Sequence, residues 1–71
     1  MSPHVAGRLV IRITPDDVGK RVTVRRRVPG GFRDAVGELV SWDNGMLVVR
    51  RRTGELVEID ERSMVAAKVV R

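Results

Sequence analysis

The sequence predicts an all-β fold in which short antiparallel strands close into a small barrel. Three turn signals separate runs rich in Val, Ile and Leu: Pro29-Gly30-Gly31, Asp43-Asn44-Gly45 and Thr53-Gly54. Each contains a residue that tolerates a positive φ, as tight hairpins require. Fourteen of the 71 residues are Val, and β-branched side chains favour pleated sheet over helix. Hairpin-linked strands in a chain of this length indicate a barrel or a barrel-like sandwich.

The segment before the first hairpin is predicted to contain a short strand and one tight turn. Over residues 8–13, Leu9, Ile11 and Ile13 alternate with Arg8, Val10 and Arg12, as the two faces of a half-buried strand do. Thr14 is predicted to cap a single 3₁₀ turn, and Pro15 suits its first helical position. Asp16 and Asp17 favour the positive end of the same turn.

The longer strands follow from the alternation between turns. Their predicted ranges, in chain order, are residues 20–28, 32–42, 46–52, 55–60 and 64–70, with a second 3₁₀ turn at residues 60–63. Gly37 is expected to mark the bend or bulge that lets the second of these strands close a small barrel. Val22, Val24 and Val28 lie on the predicted inner face, where Arg26 is an exception expected at the barrel mouth. In the last strand that face is expected to comprise Val65, Ala67 and Val69.

This order of elements is that of a small SH3-like or Sm-like five-stranded barrel with short 3₁₀ turns. Residues 8–71 are predicted to form it as a single domain, behind a disordered lead at residues 1–7. The chain has no cysteine, which excludes disulfides and thiolate metal sites. No run approaches the roughly 18 apolar residues of a membrane span, and the N-terminus lacks the apolar core of a signal peptide. We therefore expect a cytoplasmic protein without a membrane partner.

Nothing in the sequence predicts an active site. The one histidine, His4, falls in the predicted lead, so Ser41 and Ser63 have no base to activate them. The carboxylates show no metal-ligand spacing. Gly30-Gly31 lacks the helix and the Lys-Ser/Thr pair of a phosphate-binding loop. The chain alone is therefore predicted to be no enzyme, with no cofactor and no metal.

Basic side chains carry the candidate binding site. The net charge is +5, and residues 20–52 hold nine basic and three acidic side chains. Such a balance favours an anionic partner, RNA or an acidic protein face, although charges also keep exposed strand faces soluble. The candidate binding residues are Arg25, Arg27, Arg50, Arg52 and Trp42. Strand alternation predicts that the members of each arginine pair, 25 with 27 and 50 with 52, share one face.

The two aromatic residues bear on the choice of partner. Phe32 and Trp42 are expected to supply packing mass in a Val-based core. Nucleic-acid platforms add exposed aromatics on which bases stack, so this expectation weighs against RNA. Trp42 has two interpretations, a lid over one barrel mouth or an anchor for a partner domain, because Trp and Arg are typical of interface hot spots.

Two stretches, VGKRVTVRRR at residues 18–27 and VGELVSWD at residues 36–43, resemble the N-terminal SH3-like module of actinobacterial GNAT-family acetyltransferases. Residues 47–59 and 65–70 continue the resemblance. In that family the barrel precedes a larger domain that binds acetyl-CoA and transfers its acetyl group. The resemblance implies a non-catalytic accessory module whose partner is the acetyltransferase catalytic domain, with a role in docking or substrate presentation.

A second, weaker resemblance belongs to another functional class. The C-terminal barrel of the bacterial ribosome maturation factor RimP is similar in its basic first strand, its bent Gly-containing second strand and its Ala-Lys-Val ending. This resemblance implies an RNA- or ribosome-binding Sm-like module that uses the basic strand faces. Unpaired strand edges leave a homo-oligomer as a third alternative.

Overall fold

The computed structural model describes residues 10–71 and contains five strands and two 3₁₀ turns. In chain order these are a first 3₁₀ turn at Pro15–Asp17, β1 at Arg21–Val28, β2 at Gly31–Asp43, β3 at Met46–Arg50, β4 at Leu56–Asp60, a second 3₁₀ turn at Glu61–Ser63, and β5 at Met64–Val69. The all-β prediction is confirmed. The predicted lead at residues 1–7 lies outside the described residues.

The five strands form one antiparallel sheet in the order β4-β3-β2-β1-β5. β2 is the longest strand, and its first half pairs with β1 while its second half pairs with β3. The two pairings meet at Glu38, which lies opposite Arg21 on one side and Arg50 on the other. β5 returns to the far side of β1, where Val22 pairs with Val69. The sheet thereby wraps around a single core.

The bend predicted at Gly37 divides into two separate features. A Cβ at position 37 would overlap the carbonyl oxygen of Arg50, so Gly37 permits a close approach of β2 to β3. The extra residue in the ladder is Val40, which lies between the paired residues Leu39 and Ser41. The sheet therefore bends at a small residue and a bulge placed three positions apart.

One cluster of buried apolar side chains holds the sheet together. It comprises Ile13, Val22, Val24, Ala35, Leu39, Leu47, Val49, Ile59, Met64 and Ala67. Every strand contributes to it, and Trp42, Val57 and Val69 pack against its margin. No polar or charged residue is fully buried among the described residues. Arg26 follows Val22 and Val24 on the inner face but is only half-buried, as expected at the end of the core.

The inner face of β5 differs in part from the prediction. Ala67 is buried and Val69 packs against the core, as expected. Val65 is the extra residue of a bulge in the pairing with β1, and Met64 takes the buried position beside it. A bulge shifts the alternation by one residue, which strict parity cannot anticipate.

Residues 10–13 do not form the predicted first strand, whose residues 8 and 9 lie outside the described part of the chain. Ile11 makes one isolated parallel bridge to Ala67. The Arg12 N–H donates to the Ala67 carbonyl at 2.8 Å, and the Ala67 N–H donates to the Val10 carbonyl at 3.0 Å. This segment covers part of the outer edge of β5, and Ile13 enters the core.

The first 3₁₀ turn is capped as predicted. The Asp16 N–H donates to the Thr14 hydroxyl at 3.2 Å, and the Thr14 N–H donates to an Asp17 carboxylate oxygen at 3.0 Å. This reciprocal arrangement satisfies two N–H groups that the turn leaves unpaired. In residues 10–71 there is no helix long and apolar enough to span a membrane.

Candidate binding surface

The β1–β2 hairpin fixes which side chains face one another at its end. Pro29 and Gly30 form a two-residue turn, and Gly30 has a φ of 88°, as the third position of a type II turn requires. Val28 therefore pairs with Gly31, and the register continues without a break along both strands. We call residues 25–34 the hairpin tip. Besides Val28 with Gly31, its cross-strand pairs are Arg25 with Asp34, Arg26 with Arg33 and Arg27 with Phe32.

Arg25 and Asp34 form a two-pronged ion pair on the outer face of the sheet. Arg25 Nε donates to Asp34 Oδ1 at 2.8 Å, and Arg25 Nη2 donates to Asp34 Oδ2 at 3.1 Å. The hydrogen bond from Arg25 lowers the pKa of Asp34, and the same hydrogen bond raises the pKa of Arg25. Both groups stay charged, and two of the N–H donors of Arg25 are already hydrogen-bonded to Asp34.

Phe32 lies on the same outer face and is not part of the core. Its exposed fraction is 52%, which contradicts the expectation that both aromatics serve as packing mass. The guanidinium carbon of Arg27 lies 5.9 Å from the centre of the Phe32 ring. A cation over an aromatic face at an exposed site contributes about 0.5–1 kcal/mol, so the two side chains hold one another in place at the surface.

Arg26 and Arg33 face one another on the opposite side of the hairpin. Like charges placed directly opposite in a sheet are destabilising. Within residues 10–71, no carboxylate forms an ion pair with either side chain, and residues 1–9 contain no acidic residue. Arg26 Nη1 is buried and has no hydrogen-bond partner. The tip thus carries two uncompensated charges on one face, and on the other a neutralised pair together with Arg27, which forms no ion pair within residues 10–71.

The arginines predicted in the second pair are separated by the end of a strand. Arg50 is the last residue of β3 and pairs with Glu38, with 3.2 Å between Nη1 and Oε1. Arg52 lies beyond β3 in a turn closed by the Gly54 N–H, which donates to the Arg51 carbonyl at 2.8 Å. The prediction that Arg50 and Arg52 share one strand face is therefore wrong, because β3 ends before Arg52.

Trp42 is half-buried and packs against the core from the second half of β2. Its Nε1–H donates to Glu61 Oε1 at 2.6 Å, and the Glu61 N–H donates to the Gly45 carbonyl at 2.9 Å. The ring is thus tied to the second 3₁₀ turn, and that turn is tied to the β2–β3 turn. These contacts favour the interpretation of Trp42 as a lid over the core.

Of the five candidate residues, only Arg25 and Arg27 lie together on the hairpin tip. Sequence reasoning missed Arg33 and the exposure of Phe32, and it treated Arg26 only as an exception to the inner face. The described residues contain no group of three or more His, Cys, Asp or Glu side chains that could hold a metal ion. The tip is therefore the strongest candidate for binding, by charge and exposed aromatic surface rather than by coordination.

One family of known proteins matches nearly all of the barrel. The family model described as the Rv0428c N-terminal Sm-like domain matches residues 15–68. This range contains the first 3₁₀ turn, the hairpin tip and all strands except the last residue of β5. No curated protein and no solved structure matches the chain.

Proposed function

Because the chain belongs to the family of the Rv0428c N-terminal Sm-like domain, we propose that it is a non-catalytic barrel that docks onto a larger protein domain. The partner we propose is the catalytic domain of a GNAT-type N-acetyltransferase, on the strength of the resemblance at residues 18–27 and 36–43. The family is defined by an N-terminal domain, which supports an accessory role. We propose that the module works in the cytoplasm.

One surface observation carries the docking proposal. Phe32 and Val36 lie on the same outer face of β2 with exposed fractions of 52% and 41%, and the Arg25–Asp34 ion pair lies between them. Exposed apolar side chains interleaved with arginine and with paired charges are typical of protein interfaces. A protein partner can bury the Arg25–Asp34 pair without leaving either charge unpaired, because the ion pair is already formed, and a carboxylate of the partner would compensate Arg27.

The proposal assigns no catalysis to the chain alone. The Ser63 hydroxyl donates to the Asp60 carbonyl at 2.7 Å, so it is engaged in closing the second 3₁₀ turn. A serine nucleophile would instead need a base within hydrogen-bonding reach. The expected role is to position or present, with the chemistry left to the partner.

Calorimetry tests this proposal with two titrations. The chain is titrated with acetyl-CoA, and separately with the catalytic domain of an actinobacterial GNAT acetyltransferase whose N-terminal module is of this family. We expect no heat from acetyl-CoA and a saturable signal from the catalytic domain. Micromolar affinity for acetyl-CoA, or no association with the catalytic domain, would contradict the proposal.

RNA binding is the second function that a specific observation favours. Phe32 is exposed and carries Arg27 on its ring, which is one element of a base-stacking platform. However, Arg25 and Arg50 are already paired with carboxylates, and those carboxylates repel phosphate. The test is the affinity for oligouridine at roughly 50 and 200 mM salt, since binding through phosphates falls steeply over that range. We expect weak binding throughout, and a tight, salt-sensitive complex would reverse the order of the two proposals.

A further inference from the structure

We infer that the hairpin tip, residues 25–34, is the docking surface itself, and that it inserts into a cleft of a protein partner that has clustered carboxylates on one wall and an apolar pocket on the other. This inference rests on the proposed docking function and names the surface and the chemistry of its partner. Two independent features carry it, the uncompensated Arg26–Arg33 pair and the exposed Phe32 ring. They lie on adjacent cross-strand pairs but on opposite faces of the hairpin.

The Arg26–Arg33 pair is the basic part of the surface, which carboxylates of the partner would complement. The two cations face one another without a carboxylate between them in the described structure. A carboxylate that binds both side chains removes the repulsion and forms charge-assisted hydrogen bonds with planar guanidinium groups. Arg26 is already half-buried, so binding costs less side-chain entropy there than at a free surface arginine.

Phe32 supplies the apolar half. The guanidinium of Arg27 lies 5.9 Å from the centre of its ring, a contact that favours one orientation of this exposed aromatic. Aromatic and arginine side chains of this kind are enriched among residues that dominate binding energy. Val36 lies on the same face of β2, beyond the Arg25–Asp34 ion pair, so an apolar partner surface that extends past the Phe32 pocket along the strand would cover it as well.

The same surface is a poor match for nucleic acid. Asp34 and Glu38 lie on the outer face within the row that contains Phe32 and Val36, where they would meet the phosphates of any strand stacked on the ring. Single-strand platforms instead combine a continuous basic groove with successive aromatic side chains. The hairpin tip offers one aromatic residue, so its mixture of paired charge, free charge and apolar surface favours a protein partner.

The test is an NMR titration of isotope-labelled chain with a short peptide of alternating glutamate and leucine. The same peptide with lysine in place of glutamate, and a short oligouridine, are titrated in parallel. We expect the acidic peptide to shift the amides of Arg26, Arg27, Phe32 and Arg33, and the lysine peptide to leave them unchanged. Oligouridine should shift them less than the acidic peptide does at equal concentration.

Two pairs of variants assign the effect to the tip. Arg33→Glu and Arg52→Glu change the net charge equally, and Phe32→Ala and Leu56→Ala each remove an exposed apolar side chain, with Leu56 57% exposed. The first member of each pair should weaken binding of the acidic peptide about tenfold, whereas the second should change it by less than about twofold. All four positions are exposed, so the variants are expected to fold.

Each other outcome overturns the inference. Equal losses in Arg33→Glu and Arg52→Glu would mean that net charge alone attracts the peptide. Stronger shifts with oligouridine would make the tip a nucleic-acid site. No shift at the tip, while the chain still binds the acetyltransferase catalytic domain in calorimetry, would refute this surface and leave the docking function standing.

Discussion

The backbone of Gly37 in β2 lies against the carbonyl group of Arg50 in β3, with no space for a side chain between them. The contact occurs where β2 passes from its pairing with β1 to its pairing with β3. A larger residue would force the two strands apart at the point where the sheet turns around the core. Gly37 does not have a positive φ. A glycine is therefore required at this position because of the close backbone contact and not because of an unusual backbone conformation.

Gly37→Ala should lower the free energy of unfolding by about 1–3 kcal/mol, the usual cost of overpacking. The added methyl group meets backbone, which cannot move aside as a flexible side chain would. Urea denaturation measures the change, with Val36→Ala as the control at the neighbouring exposed position. Equal stability of Gly37→Ala and the native chain would show that the two strands separate without cost.

Arg33→Glu should stabilise the fold by about 0.5 kcal/mol, because it replaces a like-charge cross-strand pair by an opposite-charge pair. Arg52→Glu, made in an exposed turn, should show no such gain. Thermal melts at low and high salt measure both, and the gain should shrink as salt screens the pair. If the two variants behaved alike, Arg26 and Arg33 would not interact in solution. If Arg33→Glu is more stable but binds the acidic peptide less tightly, the charge of Arg33 serves recognition at a cost in stability.

Glu61→Ala should lower the free energy of unfolding by about 1 kcal/mol, because it leaves Trp42 Nε1 without the acceptor that lies at 2.6 Å. Glu61→Gln retains an acceptor oxygen and should lower the free energy of unfolding by less than Glu61→Ala does. Trp42 is the single Trp of the chain, so its fluorescence reports directly on this contact. Unchanged emission and stability in Glu61→Ala would mean that packing alone holds the ring.

Acid should destabilise the barrel through carboxylates that are hydrogen-bonded in the folded state. The pKa of Asp17 is lowered by the Thr14 N–H and then by Lys20, and the pKa of Asp34 is lowered by Arg25. A carboxyl group whose pKa is lowered in the folded state stabilises the fold at pH values above its ordinary pKa of 3.8. That contribution is lost as the pH falls through the pKa of the folded state. We therefore expect constant stability near neutral pH and a decline below about pH 4.

The variants Asp17→Asn and Asp34→Asn check the assignment. Each should be less stable than the native chain at neutral pH and should lose less stability on acidification. Denaturation midpoints measured across the acid range give both quantities. Parallel acid profiles for native and variant chains would show that other groups cause the decline.

The strands of this barrel could be predicted because glycines and prolines mark where each strand must turn. Pro29-Gly30 and Asn44-Gly45 place positive φ values at the turns, and β-branched runs between them have few alternatives to a sheet. The ends of strands were less predictable. Alternation carries β3 on to Arg52, whereas the turn closed by Gly54 ends it at Arg50, because backbone hydrogen bonds and not side-chain parity decide where a ladder stops.

The hairpin tip can be identified as a candidate binding surface only once the register of the first hairpin is known. Reading Pro29-Gly30-Gly31 as one three-residue signal hides the fact that Gly31 already pairs with Val28. A two-residue turn at Pro29-Gly30 places Arg26 opposite Arg33, and the uncompensated pair could then be read from the sequence. The same register places Phe32 opposite Arg27 on the outer face, so its exposure could be read from the sequence as well.

The pairing of β5 with β1 has a consequence for the order in which the barrel forms. Strands β1 to β4 are joined by short turns and can pair with their sequence neighbours at little cost in loop entropy. β5 must instead find β1 from the other end of the domain, where Val22 meets Val69. We expect folding to proceed through the four-strand meander, with β5 docking late. Substitutions in β5 would then speed unfolding far more than they slow folding, and the lifetime of the closed barrel would be set by its last strand.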